Sequence, residues 1–155
     1  MRRVFMALII CLAATAATAD MTPRVGWVVL PTQKDHATLL ADLKSAVKSN
    51  GMGIVTQAGP TAVARNRGIT IPENRVVGVF NNDFAVKILA LSTPAMIEAP
   101  IRFYVTENSD GTATLSYKTP EFVFQPYMVD AGPALQPLVD ALEERFSAIA
   151  MQATR

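Results

Sequence analysis

The chain predicts an α+β domain: a two-layer sandwich in the order β-α-β-β-α-β-β-α, with a mainly antiparallel sheet and its helices on one face. Three observations carry this. Residues 101–118 (IRFYVTENSDGTATLSYK) alternate apolar and polar side chains on both sides of a turn. Residues 36–50 and 133–150 instead space their apolar residues three and four apart. No glycine-rich phosphate loop follows any strand-like segment, which weighs against a nucleotide-binding fold.

The alternating segment is a hairpin with its register written into it. With Ser109-Asp110-Gly111 as the turn, Phe103 faces Tyr117 and Val105 faces Leu115 on an apolar side. Arg102 then faces Lys118, Tyr104 faces Ser116 and Thr106 faces Thr114 on a polar side. A three-residue turn ending in a left-handed residue favours glycine, and Gly111 stands there. One apolar and one polar face mean a sheet covered on one side only.

Residues 1–19 read as a cleaved signal peptide. Arg2 and Arg3 make the positive start, Val4 to Ala14 the apolar run, and Ala17-Thr18-Ala19 the small-x-small cleavage site. The run is shorter than the roughly 20 residues that span a bilayer. Cys11 is no lipid-attachment site, because Ile10 before it is bulky. The expected mature chain, 20–155, is a single periplasmic domain with no membrane anchor; 155 residues less 19 leaves 136, enough for a real core. Cys11 is the chain's one cysteine, so the mature protein would have neither disulfide nor thiolate chemistry. Losing two of 14 basic residues leaves 12 against 13 acidic ones, a formal charge of −1 that argues against nucleic acid or an anionic membrane as partner.

After Asp20, Arg24 to Leu30 is β-branched and aromatic and reads as a strand ended by Pro31. Asp35 caps a helix with the apolar stripe Leu39, Leu40, Leu43, Ala46 and Val47, stopped by Gly51. Met52 to Gln57 is a second strand. Residues 58–74 connect, with a turn or two of helix around Ala62 to Asn66, to a third strand, Arg75 to Phe80. Asn82 or Asp83 caps a short helix, Phe84 to Leu91, ending before Pro94. The hairpin follows, between Pro100 and Pro120. Pro133 opens a long C-terminal helix with the stripe Leu135, Leu138, Val139, Leu142, Phe146 and Ile149.

With the elements placed, the chain resembles the bacterial family known as domain of unknown function 302 over about residues 36–150. The features run in order: TLLADLKSAVKSNG, then Gly68 and Pro72 before VVGVFNN, then KILALSTPAMIEAP and FYVTENSDGTATLSYKTP. Asn81, Pro100, Gly111, Tyr117 and Pro120 are its landmarks; the family typically has Asn-Pro where this chain has Asn81-Asn82. The resemblance implies a two-layer fold akin to the TATA-binding-protein-like folds, often dimeric, and brings no catalytic residues with it.

Chemistry-bearing candidates are few. His36, the one histidine, would need Met52, Met96 or Met128 as partners to hold copper or haem. Arg65, Arg67 and Arg75 lie close enough in sequence to bind an anion, or simply to face water. Glu107 and Asp110 sit at the hairpin tip, where the turn accounts for them. Phe122, Phe124, Tyr127 and Met128 crowd a proline-bracketed loop, 120–132, and must bury in the domain's own core, in a subunit interface, or over a ligand. The reading these features favour is an exported, non-enzymatic domain without cofactor or bound metal. It would be homodimeric and would bind a small molecule or protein through Arg102, Tyr104, Ser116, Lys118, Phe122, Phe124 and Tyr127. The alternative is a small periplasmic enzyme or metal/haem carrier built on His36 and methionines.

Overall fold

A computed structural model describes residues 21–155; the segment expected to be a signal peptide, 1–19, lies outside them. Five strands form one sheet: β1 (Trp27–Pro31), β2 (Gly53–Ala58), β3 (Asn74–Phe80), β4 (Ile101–Glu107) and β5 (Ala113–Lys118). Their order across the sheet is β1-β5-β4-β3-β2, and every neighbouring pair is antiparallel. The β4–β5 hairpin lies inside the sheet, so its alternation patterns both faces. Its register is the expected one from Phe103–Tyr117 to Thr106–Thr114, and Gly111 takes a φ of +83°. The expected Arg102–Lys118 pair is not made. Beyond Phe103–Tyr117 the two strands part: Arg102 stays on Gly78 of β3, while Lys118 follows Trp27 of β1 toward the Thr119–Gly26 hydrogen bond.

Helix α1 (His36–Ser49) starts at Asp35, whose side chain accepts the Thr38 N–H, and buries Leu39, Leu43, Ala46 and Val47. After α2 (Thr61–Asn66) and β3 comes α3 (Asn82–Leu91), which starts two residues before the expected Phe84 and is capped by Asn81 in place of Asn82 or Asp83. Asn81 accepts the Asp83 and Phe84 N–H groups and donates to the Gly51 carbonyl, so one side chain closes the helix and ties it to the end of α1. A 3₁₀ turn (Pro94–Glu98) leads into β4.

The segment 120–132 is helical, not an irregular loop. Thr119 accepts the Phe122 N–H and Pro120 takes the first turn of α4 (Pro120–Phe124). A 3₁₀ turn (Gln125–Tyr127) and α5 (Met128–Ala131) follow, ended by Gly132 at φ +69°. Because Gly132 breaks the chain there, the last helix, α6 (Gln136–Thr154), starts three residues beyond Pro133, with Pro137 in its first turn.

Helices α1 and α6 lie side by side against the apolar sheet face. Leu39, Leu43, Val47, Val139, Leu142 and Ile149 meet Val77, Val105 and Leu115 there. At the centre the Phe103 and Phe146 rings stack with centroids 4.6 Å apart, and Tyr117 tilts against both. Burial pushes the Tyr117 phenol up to about 12, with the charge of Glu143 adding to it.

Candidate functional site

On the sheet face away from α1 and α6 no helix among the described residues packs over the centre, and the side chains there are unequal in height. Ser116 pairs with Val29 on one side and Tyr104 on the other; the two taller neighbours shade it completely, leaving it 0% exposed and its hydroxyl without a partner. Thr106 is also buried, with its hydroxyl unpartnered. The polar face is therefore not evenly solvated, and Ser116 is not at a surface a ligand or partner touches.

The concave part of this face lies where the β4–β5 ladder stops. Ile101 and Arg102 on one strand, Tyr117 and Lys118 on the other, border a groove of about 600 Å³. Trp27, Val76 and Tyr104 extend its floor. Its far wall is α4 and the turn after it (Phe122, Val123, Gln125, Pro126), and Glu98 closes one end.

Local sequence sets this geometry. Thr119 follows β5 directly, caps α4 and donates its N–H to the Gly26 carbonyl at 2.9 Å, so α4 turns back across the end of β1. Gly26 holds φ +73°, and a Cβ there would lie 2.1 Å from the Phe122 ring. Only glycine satisfies both the left-handed backbone and the close approach of the ring. The cross-strand pair Trp27–Lys118 then brings the Lys118 ammonium 5.8 Å from the Trp27 ring centroid and 5.9 Å from that of Phe122. The Arg24 guanidinium covers Trp27 from 5.7 Å. At the closed end the Tyr127 hydroxyl donates to Glu98 Oε1 at 2.7 Å; that bond, with burial and the carboxylate charge, raises the phenol above its ordinary range.

Of the residues anticipated as contacts, Arg102, Tyr104, Lys118 and Phe122 line this groove. Tyr127 acts through Glu98 and does not itself line it. Phe124 points the other way: it is 2% exposed and packs with Met52, Ile88 and Leu142. It belongs to the chain's own core, because in a helix two residues apart project about 200° from each other, so Phe122 and Phe124 cannot share a face. Trp27, Glu98 and Val123 were not anticipated. Their only sequence signal was the lone tryptophan at a strand start; placing it beside Lys118 requires knowing that β1 pairs with β5.

The other candidates have local roles. His36 opens α1 and Met52 follows its end, about 20 Å away for 14 residues at roughly 1.5 Å each, so the two do not share a ligand. Among the described residues no group of three or more His, Cys, Asp or Glu side chains lies together. Arg65 pairs with Glu73 at 2.6 Å. Glu107 accepts the Glu73 N–H, and Asp110 accepts the Thr112 N–H and hydroxyl, which lowers its pKa.

His36 itself is half-buried with Nε2 unpartnered, and desolvation lowers its pKa below the ordinary 6.5. The charges of Glu73 and Glu107 oppose that and Arg75 adds to it. A depressed folded pKa means the unfolded chain binds the proton more readily, so this contribution to stability is present above about pH 6.5 and is lost as pH falls below it. His36→Gln should therefore flatten the decline of urea midpoint between about pH 7 and pH 5; an unchanged slope would assign the decline to other groups.

The comparisons agree with this fold. The family model for domain of unknown function DUF302 matches residues 28–153. No curated protein matches the chain. Among solved structures, the crystal structure of an uncharacterized conserved DUF302 protein from Bacillus stearothermophilus superposes with a TM-score of 0.73 at 17% identity, covering 85% of this chain and all of that one. At that identity the likeness speaks for the fold alone.

Proposed function

The chain belongs to the DUF302 family, and from that premise we propose that it is an exported, non-enzymatic binding domain that holds a small molecule in the groove beside α4. The observation that carries the reading is the groove itself. Its volume of about 600 Å³ suits a small organic ligand, its walls are mostly apolar and aromatic, and a few charged groups (Arg102, Lys118, Glu98) converge on it. No nucleophile–base pair or carboxylate pair faces this space, so recognition accounts for its residues better than catalysis does.

Homodimerisation belongs to the same proposal. Val86 and Leu89 stand exposed three residues apart on the outer side of α3, away from the groove, where a second copy would cover them.

One experiment reads all three parts. Native mass spectrometry of protein taken from the periplasmic fraction should give a subunit mass corresponding to residues 20–155, a two-subunit assembly, and an added small-molecule mass that denaturation removes. A subunit retaining residues 1–19 removes export from the proposal, and a single-subunit species removes the dimer. A spectrum without added mass, from protein that also fails to bind small organic probes, removes the groove as a binding site.

A further inference from the structure

Resting on the groove as a binding site, we propose that its occupant is a small organic anion: a carboxylate carried on a flat apolar body. The charge follows from what the cations lack. The ion pairs among the described residues are Lys34–Asp42 and Arg65–Glu73, so neither Arg102 nor Lys118 has a carboxylate partner there. The one carboxylate in the groove wall, Glu98, already accepts the Tyr127 hydroxyl and stands at the closed end.

The shape follows from what surrounds Lys118. Its ammonium lies near the faces of Trp27 and Phe122, which hold it without neutralising it. An ammonium flanked by rings keeps N–H donors free for a charge-assisted hydrogen bond to an oxygen anion. The Tyr104 ring and the side chains of Val76 and Pro126 offer apolar surface beside it. A phosphate dianion would leave the apolar bed unused, whereas a monocarboxylate on an apolar body uses both the cation and the bed.

The test uses two probes of one shape. The chain is titrated calorimetrically at pH 7 with 2-naphthoate, ionised at that pH, and with neutral 2-naphthamide. The naphthoate should bind about tenfold more tightly. Lys118→Gln should erase that preference while leaving the amide affinity within about twofold, and Lys118→Arg should preserve it. Lys118 is exposed, so both variants are expected to fold, and their melting temperatures verify it. Equal affinity for the two probes, or a preference that survives Lys118→Gln, overturns the anion while the groove stands. Binding of neither probe overturns the anion and the groove together. Inorganic phosphate competing with naphthoate as strongly as naphthoate itself would also overturn the carboxylate.

Discussion

Phe146→Ala is expected to lower the free energy of unfolding by about 3–5 kcal/mol. Phe146 is 0% exposed and joins α6 to β4 and β5: its ring stacks on Phe103 at 14° and lies 5.6 Å from Tyr117. Truncation removes the ring's transfer energy and the two aromatic contacts, and leaves a cavity that cannot collapse, because the surrounding backbone is a hydrogen-bonded sheet on one side and a 19-residue helix on the other. Domains of this size are stable by only about 5–15 kcal/mol, so the loss is a large share of the total. Equilibrium urea unfolding should show a much lower midpoint with an unchanged slope. A loss below about 1.5 kcal/mol would mean that neighbouring side chains fill the space, and that the aromatic cluster is not the centre of the core.

Phe124→Asp is expected to prevent folding, where a surface reading of this residue would have it merely break a contact with a partner or ligand. Phe124 is 2% exposed between Met52, Ile88 and Leu142. A carboxylate there finds no cation, and must either ionise in an apolar site or take up a proton; with the lost apolar burial the cost is on the order of 5 kcal/mol, comparable to the whole stability of the domain. The variant should lack near-ultraviolet circular dichroism and a cooperative melt. Phe122→Asp, two residues earlier and 43% exposed, is the control: it should fold with a melting temperature close to that of the parent while losing ligand affinity. If Phe124→Asp folds normally and only changes its assembly state, α4 packs the other way round.

These two phenylalanines mark where the sequence stops being legible. Helices α1 and α6 were readable because a 3.6-residue period identifies the buried stripe without reference to any partner, and the β4–β5 register because Gly111 and a period of two leave one consistent pairing. The start of α3 lies two residues before the expected Phe84 because Asn81, Asn82 and Asp83 are all good caps; the choice fell to Asn81, which also reaches the Gly51 carbonyl. Residues 120–132 read as a loop because two prolines and a glycine punctuate them, yet each proline occupies the first turn of a helical piece, where it is tolerated. Arg102 and Lys118 were assigned to each other by extending the hairpin register outward, which holds only while the two strands stay together; past Phe103–Tyr117, β4 follows β3 and β5 follows β1.

What the sequence determined by itself is therefore the family, the α+β class, the helix stripes and the hairpin with one apolar and one polar face, all properties of residues close together along the chain. What only the tertiary structure decided is which part of the polar face is a site. Ser116 is lost to it because Val29 and Tyr104 rise on either side, and Lys118 is gained because Trp27, 91 residues away in sequence (118 − 27), and Phe122 bring their rings to its ammonium. Those relations depend on strand order and on the direction in which α4 leaves the sheet, which are settled by the packing of the whole chain and not by any local pattern.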